Sequence, residues 1–171
     1  EEVFFEVVGY TDTGKLIMPE CDNKKTKDKE FIKQFGKTTQ FTYGCPVGQS
    51  AVYVYRITMT NEDGYTIDYP TELVKLRCEQ MGLKTVPELD RFMFSSKEDL
   101  LNRVDAFLDM PSTIDGRHVS EGVCVRRNNS VGFATLKKKS YFFKCLEGLI
   151  KDAGIADIEE QESAVTEETG A

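Results

Sequence analysis

The sequence predicts an α+β fold in which antiparallel β-sheets carry flanking helices, and three features support this prediction. Residues 51–69 are typical of a β-hairpin, because "AVYVYRITMT" alternates at period two and the "NEDG" turn leads into "YTIDY". Residues 71–81 and 96–109 instead repeat apolar side chains at helical spacing. Alternation returns in residues 121–127 and 131–138, which the "NNS" turn joins into a second hairpin. Hairpins with helices inserted between them favour an α+β arrangement.

The other predicted elements follow from turn and cap signals. "VFFEVVGY" at residues 3–10 has strong β propensity, and a turn within "TDTGKLIM" leads to a second strand. The first helix begins after Pro70 and stops at Gly82, while Ser96 begins a variant of the capping box at the start of the second. Residues 140–152 are expected to form either a helix or a segment that passes from a strand into a helix.

A single domain is expected for a chain of 171 residues, which is long enough to bury a hydrophobic core. The net charge of −7 is unevenly distributed along it. Residues 151–171 contain seven acidic residues and one lysine, whereas residues 1–150 contain 22 acidic and 21 basic residues. We therefore expect a nearly neutral folded part, residues 1–150, followed by an acidic flexible tail, residues 151–171.

Lysines concentrate in one polar segment, residues 20–40, which is predicted to be a loop with a short helix. The lysines are Lys24, Lys25, Lys27, Lys29, Lys33 and Lys37. Such a run is either a solvated surface or a contact with a nucleic-acid backbone, and the sequence leaves both interpretations open.

Five cysteines without a CxxC pair argue against a disulfide framework or a zinc site, and indicate free thiols in a reducing cytoplasm. His118 is the only histidine, so a histidine-rich metal site is excluded, and we expect it in a loop or at a strand edge. No apolar run approaches the roughly 20 residues of a membrane-spanning helix.

The candidate site comes from the stretch "EGVCVRRNNSVGFATLKKKS". Lys137 and Lys139 share one strand face and Lys138 points away. Adjacent lysines repel one another unless an anion is bound there. Glu121 would hold a hard divalent cation through oxygen, which leaves the lysines for phosphate oxygens. The pattern therefore favours a nucleoside triphosphate with its metal over a bare surface patch.

Four segments, in order, resemble the motifs of covalent nucleotidyltransferases, the superfamily of ATP-dependent polynucleotide ligases and mRNA capping enzymes. They are "VFFEVVGY" with Phe4, Glu6 and Gly9 (motif III), "AVYVYRIT" with Tyr53, Tyr55 and Arg56 (motif IIIa), "EGVCVRR" (motif IV) and "LKKKS" with Lys137, Lys139 and Ser140 (motif V). The sequence is most similar to phage-type RNA ligases. The resemblance implies an ATP-grasp-like adenylation domain of which residues 1–150 form the C-terminal portion.

This resemblance implies a reaction in three steps. A lysine attacks the α-phosphate of ATP, AMP passes to the 5′-phosphate of RNA, and the 3′-hydroxyl of a second end displaces AMP. Phe4 would stack on adenine, and Glu6 would contact the ribose or orient its neighbours. Glu121 would bind Mg²⁺ or Mn²⁺, and Lys137 and Lys139 would neutralise charge on the α-phosphate. Arg56, together with Arg126, is either a nucleotide-binding residue or an ion-pair residue.

One expected motif is missing from the sequence. Members of the superfamily carry the nucleophile in a K-x-D-G motif before motif III, and this chain has none. "TIDG" at residues 113–116 has threonine in place of lysine and lies in the wrong order, so a turn is its predicted role. We expect the nucleophile in an N-terminal segment outside this chain, and no self-adenylation by these 171 residues.

Other assignments remain open from the sequence. Within the superfamily, a DNA ligase and a capping guanylyltransferase are alternatives. Outside catalysis, the chain would be a ligase-like nucleic-acid-binding subunit that lacks its lysine. A domain of unrelated function with accidental motif matches is the third possibility.

Overall fold

The computed structural model describes residues 1–128 and 134–152. Its strands are β1 (Glu2–Gly9), β2 (Cys21–Asp22), β3 (Thr38–Thr39), β4 (Ser50–Thr60), β5 (Thr66–Asp68), β6 (Lys84–Thr85), β7 (Gly122–Arg126) and β8 (Thr135–Lys139). Its helices are α1 (Lys29–Phe35), α2 (Thr71–Met81), α3 (Lys97–Asp105) and α4 (Tyr141–Asp152), and a 3₁₀ turn covers Asn23–Thr26. The predicted combination of small antiparallel sheets and helices is confirmed.

The long strand β4 is the centre of the main sheet. β1 pairs with one of its edges in antiparallel orientation, and β5 (antiparallel) and β6 (parallel) share the other edge. A bulge interrupts the first pairing, because Phe4 lies opposite Arg56 whereas Phe5 lies opposite Val54. The extra residue, Tyr55, shifts the alternation of β4 by one.

The bulge explains which side of the main sheet is buried. Val54 and Ile57 are three positions apart, yet both are fully buried and belong to one cluster. Helix α2 covers this side with Val74 and Cys78. Its start after Pro70 and its stop at Gly82, in left-handed conformation, are as predicted.

A second core forms where α1, α4 and the short β2–β3 pair meet. It consists of Cys21, Phe31, Phe35, Phe41, Val119, Phe143 and Leu146. Phe31 of α1 stacks on Phe142 of α4 with ring centroids 4.3 Å apart. Burial of a phenylalanine side chain contributes about 1.5–3 kcal/mol, so these rings hold α1 firmly against α4.

Strands β7 and β8 form the predicted second hairpin. Residues 129–133, where part of the turn and the start of the second strand are predicted, lie outside the described residues. Arg126 connects the hairpin to the main sheet. Its guanidinium donates to the backbone oxygens of Tyr55 at 3.3 Å and of Tyr69 at 2.5 Å.

Two predicted elements differ from the structure. The helix predicted for residues 96–109 begins at its Ser96 cap but ends at Asp105, and Asp109 has a left-handed φ of 56°. The second strand predicted within "TDTGKLIM" is wrong, because only an isolated bridge from Tyr10 to Leu16 forms there. The first two residues of the predicted tail, 151–152, end α4, and the rest of it, 153–171, lies outside the described residues. Within the described part of the chain, no helix has the length and apolarity that crossing a membrane requires.

Candidate functional site

One side of the main sheet brings together the residues predicted to bind the nucleotide. Directly opposite residues of antiparallel strands share a face. Phe4 is paired with Arg56, and Glu6 is paired with Tyr53. Because Phe4 and Glu6 are two positions apart on β1, all four side chains project from the side opposite α2. The sequence predicts Phe4, Glu6 and Arg56 as nucleotide-binding residues, and the register places these three on one side of the sheet.

Arg56 is held over Phe4 by a carboxylate. Its guanidinium lies 4.7 Å from the Phe4 ring centroid, and its Nε donates to Asp68 Oδ1 at 2.6 Å. The Asp68 side chain is only 9% exposed, so this ion pair is shielded from water. The ion-pair interpretation of Arg56 is confirmed, and one face of the Phe4 ring is covered by it. Asp68 was not anticipated as its partner.

Lys84 adds a cation to the same side of the sheet. It lies opposite Tyr53 in the parallel β4–β6 pairing, and its Nζ is 5.5 Å from the Tyr53 ring centroid. No sequence pattern indicates this contact, since β6 is only two residues long.

Lys137 and Lys139 share one face of the β7–β8 hairpin with Arg126. In the register, Cys124 lies opposite Lys137, Gly122 opposite Lys139 and Arg126 opposite Thr135, so these residues share one face. Arg126 on that face reaches the main sheet, where the charges of Asp68 and Arg56 act on it. Burial is the largest influence on Arg126 and lowers its pKa. Lys137 and Lys139 therefore lie on the same hairpin face as Arg126, the residue that contacts the main sheet.

Lys138 and Lys139 contact different acids. Lys139 Nζ donates to Glu147 Oε1 of α4 at 2.5 Å, and both side chains are at least four-fifths buried. Lys138, on the other strand face as predicted, pairs with Asp105 at the end of α3. Glu147 orients Lys139, and no local sequence pattern indicates this contact because it depends on how α4 folds back on β8.

Glu121 is half-buried immediately before β7, and its backbone oxygen accepts from Ser140 N at 2.9 Å. Regular alternation would place it on the face of Val123, but Gly122 between them has a φ of +144°. The register therefore does not by itself show where the Glu121 carboxylate projects, and its closeness to the lysines stays a prediction. Within the described residues, no three acidic, cysteine or histidine side chains form a metal-binding group. A single carboxylate fits Mg²⁺, which is commonly bound through one or two carboxylates, substrate phosphates and water.

An unpredicted polar cluster fixes the segment that leads into β7. Asp115 is buried, and its Oδ2 accepts from Thr42 Oγ1 and Gly44 N, each at 2.9 Å. Arg117 binds both carboxylate oxygens, at 2.8 and 2.9 Å. The Arg117 side chain is the first cause that holds the pKa of Asp115 well below its usual range. "TIDG" is thus more than the predicted turn, because Asp115 links this turn to the loop that contains Thr42 and Gly44.

His118 lies in the loop that the sequence predicted, but it is fully buried. Its Nδ1 is 2.9 Å from the backbone oxygen of Val119, and its Nε2 has no hydrogen-bond partner within the structure. The Phe41 and Tyr43 rings lie 4.9 and 4.6 Å from the imidazole, centroid to centroid. Burial lowers the pKa of His118.

We expect the free energy of unfolding to fall as the pH is lowered from about 7 to 5.5. The unfolded chain takes up a proton near the ordinary histidine pKa of about 6.5, whereas the folded protein keeps His118 neutral. Stability therefore rises with pH in this window, by at most about 1.4 kcal/mol per pH unit. Urea titrations at several pH values measure the slope. In His118→Phe, which removes the only histidine, the slope should flatten; an unchanged slope would contradict this origin.

No protein-family model matches this chain, and neither a curated protein nor a solved structure matches it.

Proposed function

We propose that this chain is the motif III to V portion of an adenylation domain of ATP-dependent RNA ligase type, working in a reducing cytoplasm. It would join 5′-phosphate and 3′-hydroxyl RNA ends through enzyme–AMP and RNA–adenylate intermediates. The observation that supports this best is the pairing of Phe4 with Arg56 on the face to which Arg126 links the lysine-bearing hairpin.

The residues have complementary tasks in this proposal. The side of the Phe4 ring away from Arg56 offers a flat apolar surface to adenine. Lys137 and Lys139 neutralise the phosphate oxygens as the phosphorus becomes five-coordinate, and Glu147 holds Lys139 in place for this. A divalent cation bound through Glu121 would supply further charge neutralisation at the phosphates.

The chain contains no K-x-D-G motif, so the attacking lysine would be supplied from outside these 171 residues. An ordinary exposed lysine is protonated at neutral pH and is a poor nucleophile, so one of the surface lysines cannot replace it. With labelled ATP and Mg²⁺ or Mn²⁺, a denaturing gel should show no covalent AMP on this chain. The last step of the reaction, sealing of RNA that already carries a 5′-adenylate, needs no such lysine and is therefore the activity to assay on this chain.

We expect the chain to bind ATP in the presence of Mg²⁺, and Phe4→Ala to weaken this binding roughly tenfold, as loss of one base–aromatic stack does. Calorimetric titration measures it. Phe5→Ala is the matched control, because Phe5 is the next residue, half-exposed, and projects from the opposite face. Absence of ATP binding, or equal losses in both variants, would contradict the proposal.

Substrate preference separates this proposal from its alternatives. Tighter binding of GTP than of ATP would favour a capping guanylyltransferase. Sealing of an adenylated DNA nick in preference to adenylated RNA would favour a DNA ligase. RNA binding without any nucleotide binding would favour a non-catalytic subunit, the alternative that the missing K-x-D-G motif supports.

A further inference from the structure

We infer that the exposed face of the 3₁₀ turn and α1 binds the phosphate backbone of an RNA strand, and that Tyr141 stacks on one of its bases. We call the five lysines of this face the α1 basic surface. They are Lys24, Lys27, Lys29, Lys33 and Lys37. The inference rests on the proposed function, for which it supplies the path of the substrate strand.

The α1 basic surface is contiguous although its lysines are spread over 14 positions of the sequence. Lys29 and Lys33 are one helical turn apart on α1. Lys27 N donates to Lys24 O at 3.1 Å, and Asn23 N donates to Lys37 O at 3.0 Å. The 3₁₀ turn and the segment just after α1, which contains Lys37, therefore lie side by side. All five side chains are exposed.

A rigid base holds these lysines in place. Asn23 is fully buried, donates to Gly36 O at 3.1 Å and accepts from Thr39 Oγ1 at 2.9 Å. On the inner side of α1, Phe31 and Phe35 are buried in the second core. The surface is thus fixed before any ligand arrives, which lowers the entropic cost of binding.

Lysines outnumber acidic residues in the segment that forms this surface. Residues 23–37 contain six lysines and two acidic residues, whereas residues 1–150 as a whole are nearly balanced. Asp28 is used as the helix cap, accepting from Phe31 N at 2.8 Å. In the part of the chain that the structure describes, none of the five lysines forms an ion pair. Lys29 at the first position of α1 is also unfavourable to the helix dipole. Because the lysines repel one another and Lys29 opposes the helix dipole, this concentration of positive charge indicates a polyanionic ligand.

The α1 basic surface is continuous with the candidate site through α4. This helix starts one residue after Ser140, directly beyond Lys137 and Lys139. Its first residue, Tyr141, is 63% exposed, and its ring lies 5.4 Å from that of Phe142, which stacks on Phe31 of α1. An exposed aromatic ring between two groups of lysines suits a single strand, since bases stack on such rings while phosphates meet the cations. Binding of an acidic polypeptide through its charges would not require the exposed Tyr141 ring.

The test measures binding of a fluorescent single-stranded RNA to the chain by anisotropy across a salt series. The variant Lys24→Gln/Lys29→Gln/Lys33→Gln should lose roughly tenfold or more in affinity at about 0.1 M salt, and its slope of log K against log salt should shrink by about 2. The control Lys15→Gln/Lys75→Gln/Lys97→Gln removes the same charge elsewhere. Equal effects of the two triple variants would overturn the inference.

Tyr141 gives a second, independent measurement. Tyr141→Ala should weaken RNA binding roughly fivefold or more, whereas Tyr141→Phe, which keeps the ring, should bind like the parent. A polyglutamate peptide serves as the competing polyanion. If it binds as tightly as RNA and is unaffected by Tyr141→Ala, the partner is an acidic polypeptide and the inference is wrong.

ATP titrations of the same lysine variant separate this inference from the proposed function. If RNA binding falls in the lysine variant but the chain does not bind ATP, the α1 basic surface is supported as an RNA-binding surface and the ligase assignment is wrong. If the chain binds ATP through Phe4 but the lysine variant binds RNA as its control does, the ligase assignment is supported and RNA binding by the α1 basic surface is wrong.

Discussion

Gly122→Ala is expected to destabilise the protein by about 3–5 kcal/mol and to open the β7–β8 hairpin beside the candidate site. A Cβ at this position would lie 2.2 Å from Lys138 O and 2.7 Å from Lys139 Cα. Both are backbone atoms of the partner strand, so no side-chain rotation relieves the clash. The φ of +144° is moreover a conformation that residues with a side chain rarely adopt. Urea denaturation followed by circular dichroism measures the loss.

Gly148→Ala is the matched control for this substitution. Gly148 lies within α4, and an added Cβ would meet no atom within 4 Å. Alanine in a helix interior is favoured over glycine by about 0.5–1 kcal/mol, so this variant should be as stable as the parent or slightly more stable. Equal stability of the two variants would show that β8 can move away from Gly122 and that the close approach is not needed.

Local signals in the sequence predicted much of the fold. Pro70 and Gly82 delimit α2, and Ser96 caps α3, because these residues act on their own backbone within a few positions. The bulge at Tyr55 could not be predicted in this way. Strict alternation of "AVYVYRITMT" would put Val54 and Ile57 on opposite faces, and only the pairing with β1 shows that they share one.

The candidate site was predictable where its residues are close in sequence. The spacing of Phe4 and Glu6 on one strand, and of Lys137 and Lys139 on another, fixes their shared faces through the pleat. The partners that hold them come from distant segments. Asp68 binds Arg56 across β4 and β5, and Glu147 reaches Lys139 only because α4 folds back on β8. No local pattern contains these contacts.

The two glycines that the resemblance singled out have a physical explanation in the structure. Gly122 allows β8 to approach the backbone of β7, and Gly9 ends β1 at a φ of +99° where a Cβ would lie 2.7 Å from Cys45 Cβ. Both are places where two chain segments touch without room for a side chain. The sequence showed that a glycine was present at each position, but not which segment it contacts.

Asp115→Asn is expected to cost about 2–4 kcal/mol, although the residue lies in a loop. The buried carboxylate accepts hydrogen bonds from Thr42, Gly44 and Arg117. An amide has only one acceptor oxygen, and its NH2 group would face these hydrogen-bond donors. In either orientation, the NH2 group of Asn faces donors, which are Arg117 N and Nε at the Oδ1 position or Thr42 Oγ1 and Gly44 N at the Oδ2 position. Arg117 contributes less to the cost, since its side chain is 69% exposed and water can replace the carboxylate.

The pH dependence of this loss distinguishes a charge effect from a packing effect. The pKa of Asp115 is lowered in the folded protein, so its contribution is present above the unfolded value of about 3.9 and is lost as the pH falls through the lowered folded value. The difference between parent and Asp115→Asn in urea titrations should therefore be full at pH 7 and smaller near pH 3. Asp63→Asn, in the exposed turn between β4 and β5, should change stability by less than about 0.5 kcal/mol. If Asp115→Asn behaved like this control, the two loops would be held by packing alone, and the segment that carries Glu121 into β7 would not depend on the buried carboxylate.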